Sequence, residues 1–434
     1  MTGANAMAHL QDEPHHGPGA VRAVGAVDGP APDAGPDAVP VPVRTDAGDR
    51  IAPRAEPPDR LLVAPPRLLP PDPLPAPPPT APATPLDPSD AERVAALLAK
   101  HPVADGYNSL PWTLQRQPCH DLETSESTID TDLPRLRAGG VGAQFWSLRV
   151  PEPWDDGTDR APDRWPDPGT DAVVSQTLDL IDTVRTLVRR HPDSLLLALG
   201  PDELTDARNR GRIACFLGPV PGRTLTDSHG PLRAFHALGV RSLAPAGAAW
   251  AEPDLTSFGH EVVREMNRLA MLLDLAGCGP DAARRLVAAS RAPVLVSHAG
   301  AAALHPHPSN VADEVLTALR AAKGLCMVSF APELLGPAAG GGPATVTTVA
   351  DHLDHVRAVA GPECVGLAGT FGTDPLAARV QGLEDPSGYP RLIAELLRRG
   401  WPDSELALLT WGNAQRVLRE AECTARAGRH RSRP

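Results

Sequence analysis

The chain has 434 residues and a formal net charge of −12, from 41 basic and 53 acidic side chains. That balance excludes a predominantly basic surface for nucleic acid or anionic membrane. Hydrophobic residues make up 42% and aromatics only 3%, so a sizeable core must be filled by Leu, Val and Ala.

Residues 1–88 read as a tail rich in Pro, Ala and Asp. They hold 22 of the 51 prolines, with runs such as Pro77-Pro78-Pro79. Proline fixes φ and removes backbone donors, so disorder with polyproline II character is expected there. Met1 to His15 carries no basic segment leading into an apolar one, and no run of about 18 uninterrupted apolar residues occurs. Neither a secretory signal nor a membrane span is therefore expected, and the chain reads as cytoplasmic. Six cysteines are scattered without a CxxC pair, and Cys215, Cys326 and Cys364 fall in apolar runs. Buried free thiols are the reading.

A barrel-sized region follows, over 89–422. A helix opens at Ser89 or Asp90 and runs to about Lys100. Val103-Ala104-Asp105 reads as the first strand, ending in the polar turn Gly106 to Ser109. A short helix over 131–138 is stopped by Gly139-Gly140, and 141–150 is the second strand. After a Pro/Asp/Trp-rich loop over 151–170, helices are predicted at 171–190, 230–237, 259–269, 280–290, 311–322 and 346–360. Strands are predicted between them at 195–198, 212–217, 242–244, 271–275, 293–297, 325–330 and 365–368. Two further helices, at 389–399 and 403–421, close the domain, and 423–434 is a basic tail. Alternating strands and helices imply a parallel sheet, and about eight units imply an α/β fold of the (β/α)8 TIM-type barrel. In such a barrel the site lies at the C-terminal ends of the strands.

Several ordered segments are similar to the membrane (renal) dipeptidases, zinc-dependent barrel peptidases of the amidohydrolase type. The longest is Leu133-Pro134-Arg135-Leu136-Arg137-Ala138-Gly139-Gly140-Val141-Gly142-Ala143-Gln144-Phe145-Trp146-Ser147. Others are Arg264-Glu265-Met266-Asn267-Arg268-Leu269, Ser290-Arg291-Ala292-Pro293-Val294, Asp351-His352-Leu353-Asp354-His355 and Gly412-Asn413. The resemblance spans about 93–422. It implies the barrel, a binuclear zinc site, dipeptide hydrolysis and a homodimer.

At the motifs that carry this chemistry the chain departs from the family. The zinc-binding G-H-N-D-L-P is here Gly106-Tyr107-Asn108-Ser109-Leu110-Pro111, without its His and Asp. The G-x-E-G-G-H segment becomes Gly218-Pro219-Val220-Pro221-Gly222-Arg223, which sets Val220 at the bridging Glu position. D-L-S-H becomes Asp274-Leu275-Ala276-Gly277, and the following S-H survives as Ser297-His298. T-H-N falls near Ala246-Gly247-Ala248. H-P-R-N becomes His307-Pro308-Ser309-Asn310, without its Arg, and the closing G-S-D-F-D-G becomes Ala368-Gly369-Thr370-Phe371-Gly372-Thr373, without its Asp.

The candidate site is thus a pocket of Tyr107, Ser109, Val220, Arg223, Gly277 and Thr370, with His298 as the one surviving metal-ligand position and no catalytic residue assigned. One imidazole without carboxylates cannot hold two zinc ions. No cofactor is therefore expected. The bland reading of His298 is a pocket histidine held by hydrogen bonds. Cys119-His120, His305 with His307, and His352 with His355 are candidates for a relocated site. The leading function is a pseudo-peptidase binding a small ligand or a protein partner. The alternative is a working metallodipeptidase with a rebuilt zinc site. A third is a metal-free enzyme using Tyr107, Ser109, Arg223 and His298.

Overall fold

The computed structural model describes residues 87–117, 120–125, 129–149, 169–372 and 377–431. The expected tail before Asp87 lies outside them, as do Cys119 and the loop over 150–168.

Among the described residues the strands are β1 (Val103–Asn108), β2 (Val141–Trp146), β3 (Leu195–Leu197), β4 (Ile213–Leu217) and β5 (Val220–Pro221). They continue as β6 (Ser242–Ala244), β7 (Leu272–Leu273), β8 (Leu295–Ala299), β9 (Leu325–Ser329) and β10 (Val365–Ala368). Every pairing between them is parallel. One sheet runs β3-β4-β2-β1-β10-β9-β8 and a second runs β5-β6-β7. Two bridges join them into a closed ring: Leu217 with Val240 beside β6, and Asp274 after β7 with Leu295 of β8. The ring order β1-β2-β4-β6-β7-β8-β9-β10 is an eight-stranded parallel barrel, and it bears out the expected fold class.

Most strands are buried from end to end, as barrel strands covered by helices should be; all residues of β1, β2, β4, β8 and β9 are buried. Close packing inside the ring depends on residues without side chains. A Cβ on Gly106 of β1 would meet the Met327 side chain of β9 and sit 2.8 Å from the Ser297 carbonyl oxygen. A Cβ on Gly366 of β10 would also meet Met327. Helix Val346–Ala360 opens with a reciprocal cap between Thr345 and Thr348, and helix Pro88–Lys100 with the Asp87 carboxylate accepting from the Ser89 N–H.

Several element boundaries differ from those read in the sequence. β1 runs on to Asn108, through most of the segment read as a turn, and Ser109 then opens the helix Leu110–Arg116, which the sequence reading did not assign. Pro111 sits in its first turn, where a missing N–H is harmless. A second unread helix is Pro201–Asn209. β8 lies two residues further along than expected, so His298 is inside it. The last predicted helix is interrupted by a π-helical turn over Leu408–Gly412. There the Thr410 hydroxyl donates to the His101 carbonyl, and the Asn413 amide donates to the Pro362 and Val365 carbonyls. These side-chain bonds anchor the turn to carbonyls outside the helix. Helix Asn413–Arg431 carries the chain through most of the segment expected as a basic tail. No helix among the described residues is long and apolar enough to cross a membrane.

Candidate active site

A cavity of about 720 Å³ opens at the C-terminal ends of the strands. Of the expected pocket residues, Tyr107, Ser109, Arg223, Gly277, His298 and Thr370 line it together. Val220 does not. It is fully buried in β5, paired with Leu243 of β6, and belongs to the hydrophobic core. The sequence register that placed Val220 in the pocket misses this extra short strand, which turns the side chain into the core.

At the end of β1 the Tyr107 ring lies 3.9 Å from the His298 ring, centroid to centroid. His298 Nδ1 is 2.8 Å from Ser297 Oγ. Burial, reinforced by the charge of Arg149, pushes the imidazole down to about 3, so it is neutral near pH 7. Ser109 is 1% exposed, and its hydroxyl has no hydrogen-bond partner among the described residues. Gly277 takes φ +80°, and a Cβ there would meet only the Ala246 side chain, at 3.5 Å. Thr370 has φ +51°, an unfavourable region for a β-branched residue. Its hydroxyl donates to the Gly369 carbonyl at 2.8 Å.

Two buried carboxylates that the sequence reading did not single out fix this floor. Asp105 Oδ1 accepts the Gly369 N–H at 2.8 Å and the Tyr107 N–H at 3.2 Å, tying β1 to the turn after β10. Burial raises its carboxyl to about 6, against the lowering effect of those N–H groups. Asp274 Oδ1 accepts the Ser297 and Ala276 N–H groups, tying β7 to β8. Burial also raises its pKa. In each, Oδ1 is engaged by backbone N–H groups, while Oδ2 is buried with no hydrogen-bond partner among the described residues.

Of the relocated-metal candidates among the described residues, His120, His352 and His355 are engaged away from the cavity. His352 Nδ1 accepts the Ala301 N–H and its Nε2 donates to the Leu335 carbonyl, so both ring nitrogens are used by backbone. His355 Nε2 is 2.7 Å from Asp313. His120 Nε2 donates to the Thr131 carbonyl. His307 lines the cavity, where its Nδ1 accepts the Ser309 N–H, and its ring is stacked 6.4 Å from that of His305. Among the described residues no three His, Cys, Asp or Glu side chains converge as a metal site requires. Among the described residues the cavity offers the imidazoles of His298 and His307 and the carboxylate of Glu333 beside a phenol and hydroxyls, and these do not converge as a binuclear zinc centre requires.

A closed parallel barrel with its cavity at the strand C-termini defines a (β/α)8 barrel protein. Comparison places the chain more narrowly. The model of the membrane dipeptidase family, peptidase family M19, matches residues 91–432, and the chain belongs to that family. Dipeptidase 3 of Rattus norvegicus is 36% identical over 356 residues, covering 77% of this chain and 68% of the relative. Dipeptidase 3 of Homo sapiens is 36% identical over 363 residues, covering 79% and 70%. Among solved structures, the probable dipeptidase PvdM from Pseudomonas aeruginosa superposes with a TM-score of 0.69 at 18% identity, over 77% of this chain and 99% of that one. A metallopeptidase from Rhodobacter sphaeroides, bound to a phosphinate mimic of L-Ala-D-Ala, gives 0.64 at 24% identity, over 74% and 99%. At these identities the two structures show that the fold is shared.

Proposed function

We propose that this protein is a dipeptidase-family barrel that binds a small ligand or partner at the strand mouth without zinc-dependent peptidase chemistry. The observation that carries the reading is the set of side chains at the positions named from the family's metal-binding motifs: Tyr107, Ser109, Gly277 and Thr370, with His298 as the one imidazole among them. A binuclear hydrolase needs carboxylate and imidazole donors that hold two cations and make their shared water nucleophilic. Neutral hydroxyls and a glycine neither offset that charge nor supply those donors. The cavity volume falls within the range of small-molecule sites.

The sequence likeness to proteins named dipeptidases favours a second reading, a working metallodipeptidase with ligands supplied from other positions. Hydrolysis of a panel of L,L- and L,D-dipeptides, with and without added zinc and with a chelator, separates the two. The expected result is no chelator-sensitive hydrolysis under any condition. Zinc-dependent turnover abolished by the chelator would establish the second reading and end the first.

A further inference from the structure

The cavity is charged against the sign of the molecule. The chain carries a net charge of −12, yet the cavity wall presents Arg116, Arg149, Arg223 and Arg379 against one carboxylate, Glu333. We propose that the barrel mouth binds a small organic polyanion, a di- or tricarboxylate in class, with Arg149 and Arg116 as its principal anchors. The inference rests on the reading of the mouth as a ligand site.

The four arginines do not have equal roles. Arg379 is 2.9 Å from the buried Asp130 carboxylate, which also accepts the Gly372 N–H at 2.7 Å. That guanidinium is committed to holding the wall. Arg149 follows β2, is half-buried, and lies within electrostatic reach of both Asp274 and His298 at the floor. Arg116 closes the helix Leu110–Arg116 at the rim, with its guanidinium carbon 4.7 Å from the centre of the Trp112 ring. Stacking on an aromatic face orients a guanidinium and keeps its edge donors in one plane, the geometry that grips a carboxylate with two hydrogen bonds. One arginine at the floor and one at the rim suit a ligand with more than one anionic group.

The wall also selects for an organic body. Trp112, Leu148, Phe330 and Phe371 face the same cavity, an apolar lining of no use to a bare inorganic ion. A positive concavity in an acidic protein focuses the field inward and draws anions to the mouth while the outer surface repels them.

The test is calorimetric titration of the full chain with citrate, with pyrophosphate as the phosphoryl arm and glucose as an uncharged control of similar size. The same titrations are made on Arg149→Gln, Arg149→Lys and Arg116→Gln, and the ligand-free melting temperature of each is measured. Citrate is expected to bind and glucose not. Each Gln variant should weaken citrate by about tenfold or more while melting like the parent, and Arg149→Lys should keep part of the affinity. Tighter binding of pyrophosphate than citrate would still support an anion site and assign a phosphoryl group as its ligand. No response to either anion, or parental affinity in both Gln variants, would overturn the proposal. If the variants do not fold, the parent alone decides. Its citrate affinity should fall as sodium chloride rises, and a salt-independent affinity would overturn the proposal. Dipeptide hydrolysis with zinc would contradict the function proposed above, and the arginine variants would still decide the anion site.

Discussion

Asp105 ties β1 to the turn after β10 at the floor of the cavity. Its Oδ1 takes two backbone N–H groups, and its carboxyl is raised to about 6 by burial. A raised folded-state value means the native protein binds this proton more tightly than the unfolded chain does. The stabilising contribution is fully present below the ordinary carboxylate range near 4 and is lost as pH rises to about 6. Asp105→Asn keeps the oxygen acceptor and removes the charge. Urea unfolding should then show no loss of stability at pH 7, and the fall of Asp105-linked stability between about pH 4 and 6 should disappear. A loss of several kcal/mol at pH 7 would mean that the carboxylate pairs with a cation. Val220 gives the complementary case. Its side chain is fully buried in the core, so Val220→Glu places an unpaired carboxylate there and should lower stability by several kcal/mol. Added zinc should not restore the melting temperature, because the side chain does not line the cavity. Strong rescue by zinc would show that ligands converge on it.

At the scale of elements, β1 carries both the packing and the site. Gly106 faces Met327 and the Ser297 carbonyl, while the next residue presents its ring to His298. A methyl at 106 must displace the backbone of β8 as well as the flexible Met327 side chain. Gly106→Ala should therefore cost about 1–3 kcal/mol in chemical denaturation, and unchanged stability would mean the ring relaxes more easily than its packing implies. The strands were legible because parallel barrel strands are continuous apolar runs, such as Leu325-Cys326-Met327-Val328. Helix Leu110–Arg116 was not, because Leu110-Pro111-Trp112 has no long periodic pattern and its start rests on proline tolerance in the first turn. The π-helical turn was not legible either, since Thr410 and Asn413 bond to carbonyls distant in sequence.

At the scale of the whole molecule, the barrel and the family were legible from long ordered matches such as the segment Leu133 to Ser147. The site was legible only in part. Tyr107, Ser109, Gly277, His298 and Thr370, named from the motifs, line one cavity. Val220 did not follow its motif, because β5 diverts the chain after β4. Of the arginine set only Arg223 was named from the sequence, since Arg116, Arg149 and Arg379 come from three other segments brought to it by ring closure. All these features bear on one question, whether a family built around two cations here has a member that does without them. The most direct measurement is the zinc content of the purified full chain, by elemental analysis after incubation with excess zinc and removal of the unbound metal. Well under one zinc per chain is expected. Two tightly held zinc ions per chain, lost to a chelator together with a fall in melting temperature, would contradict the central claim.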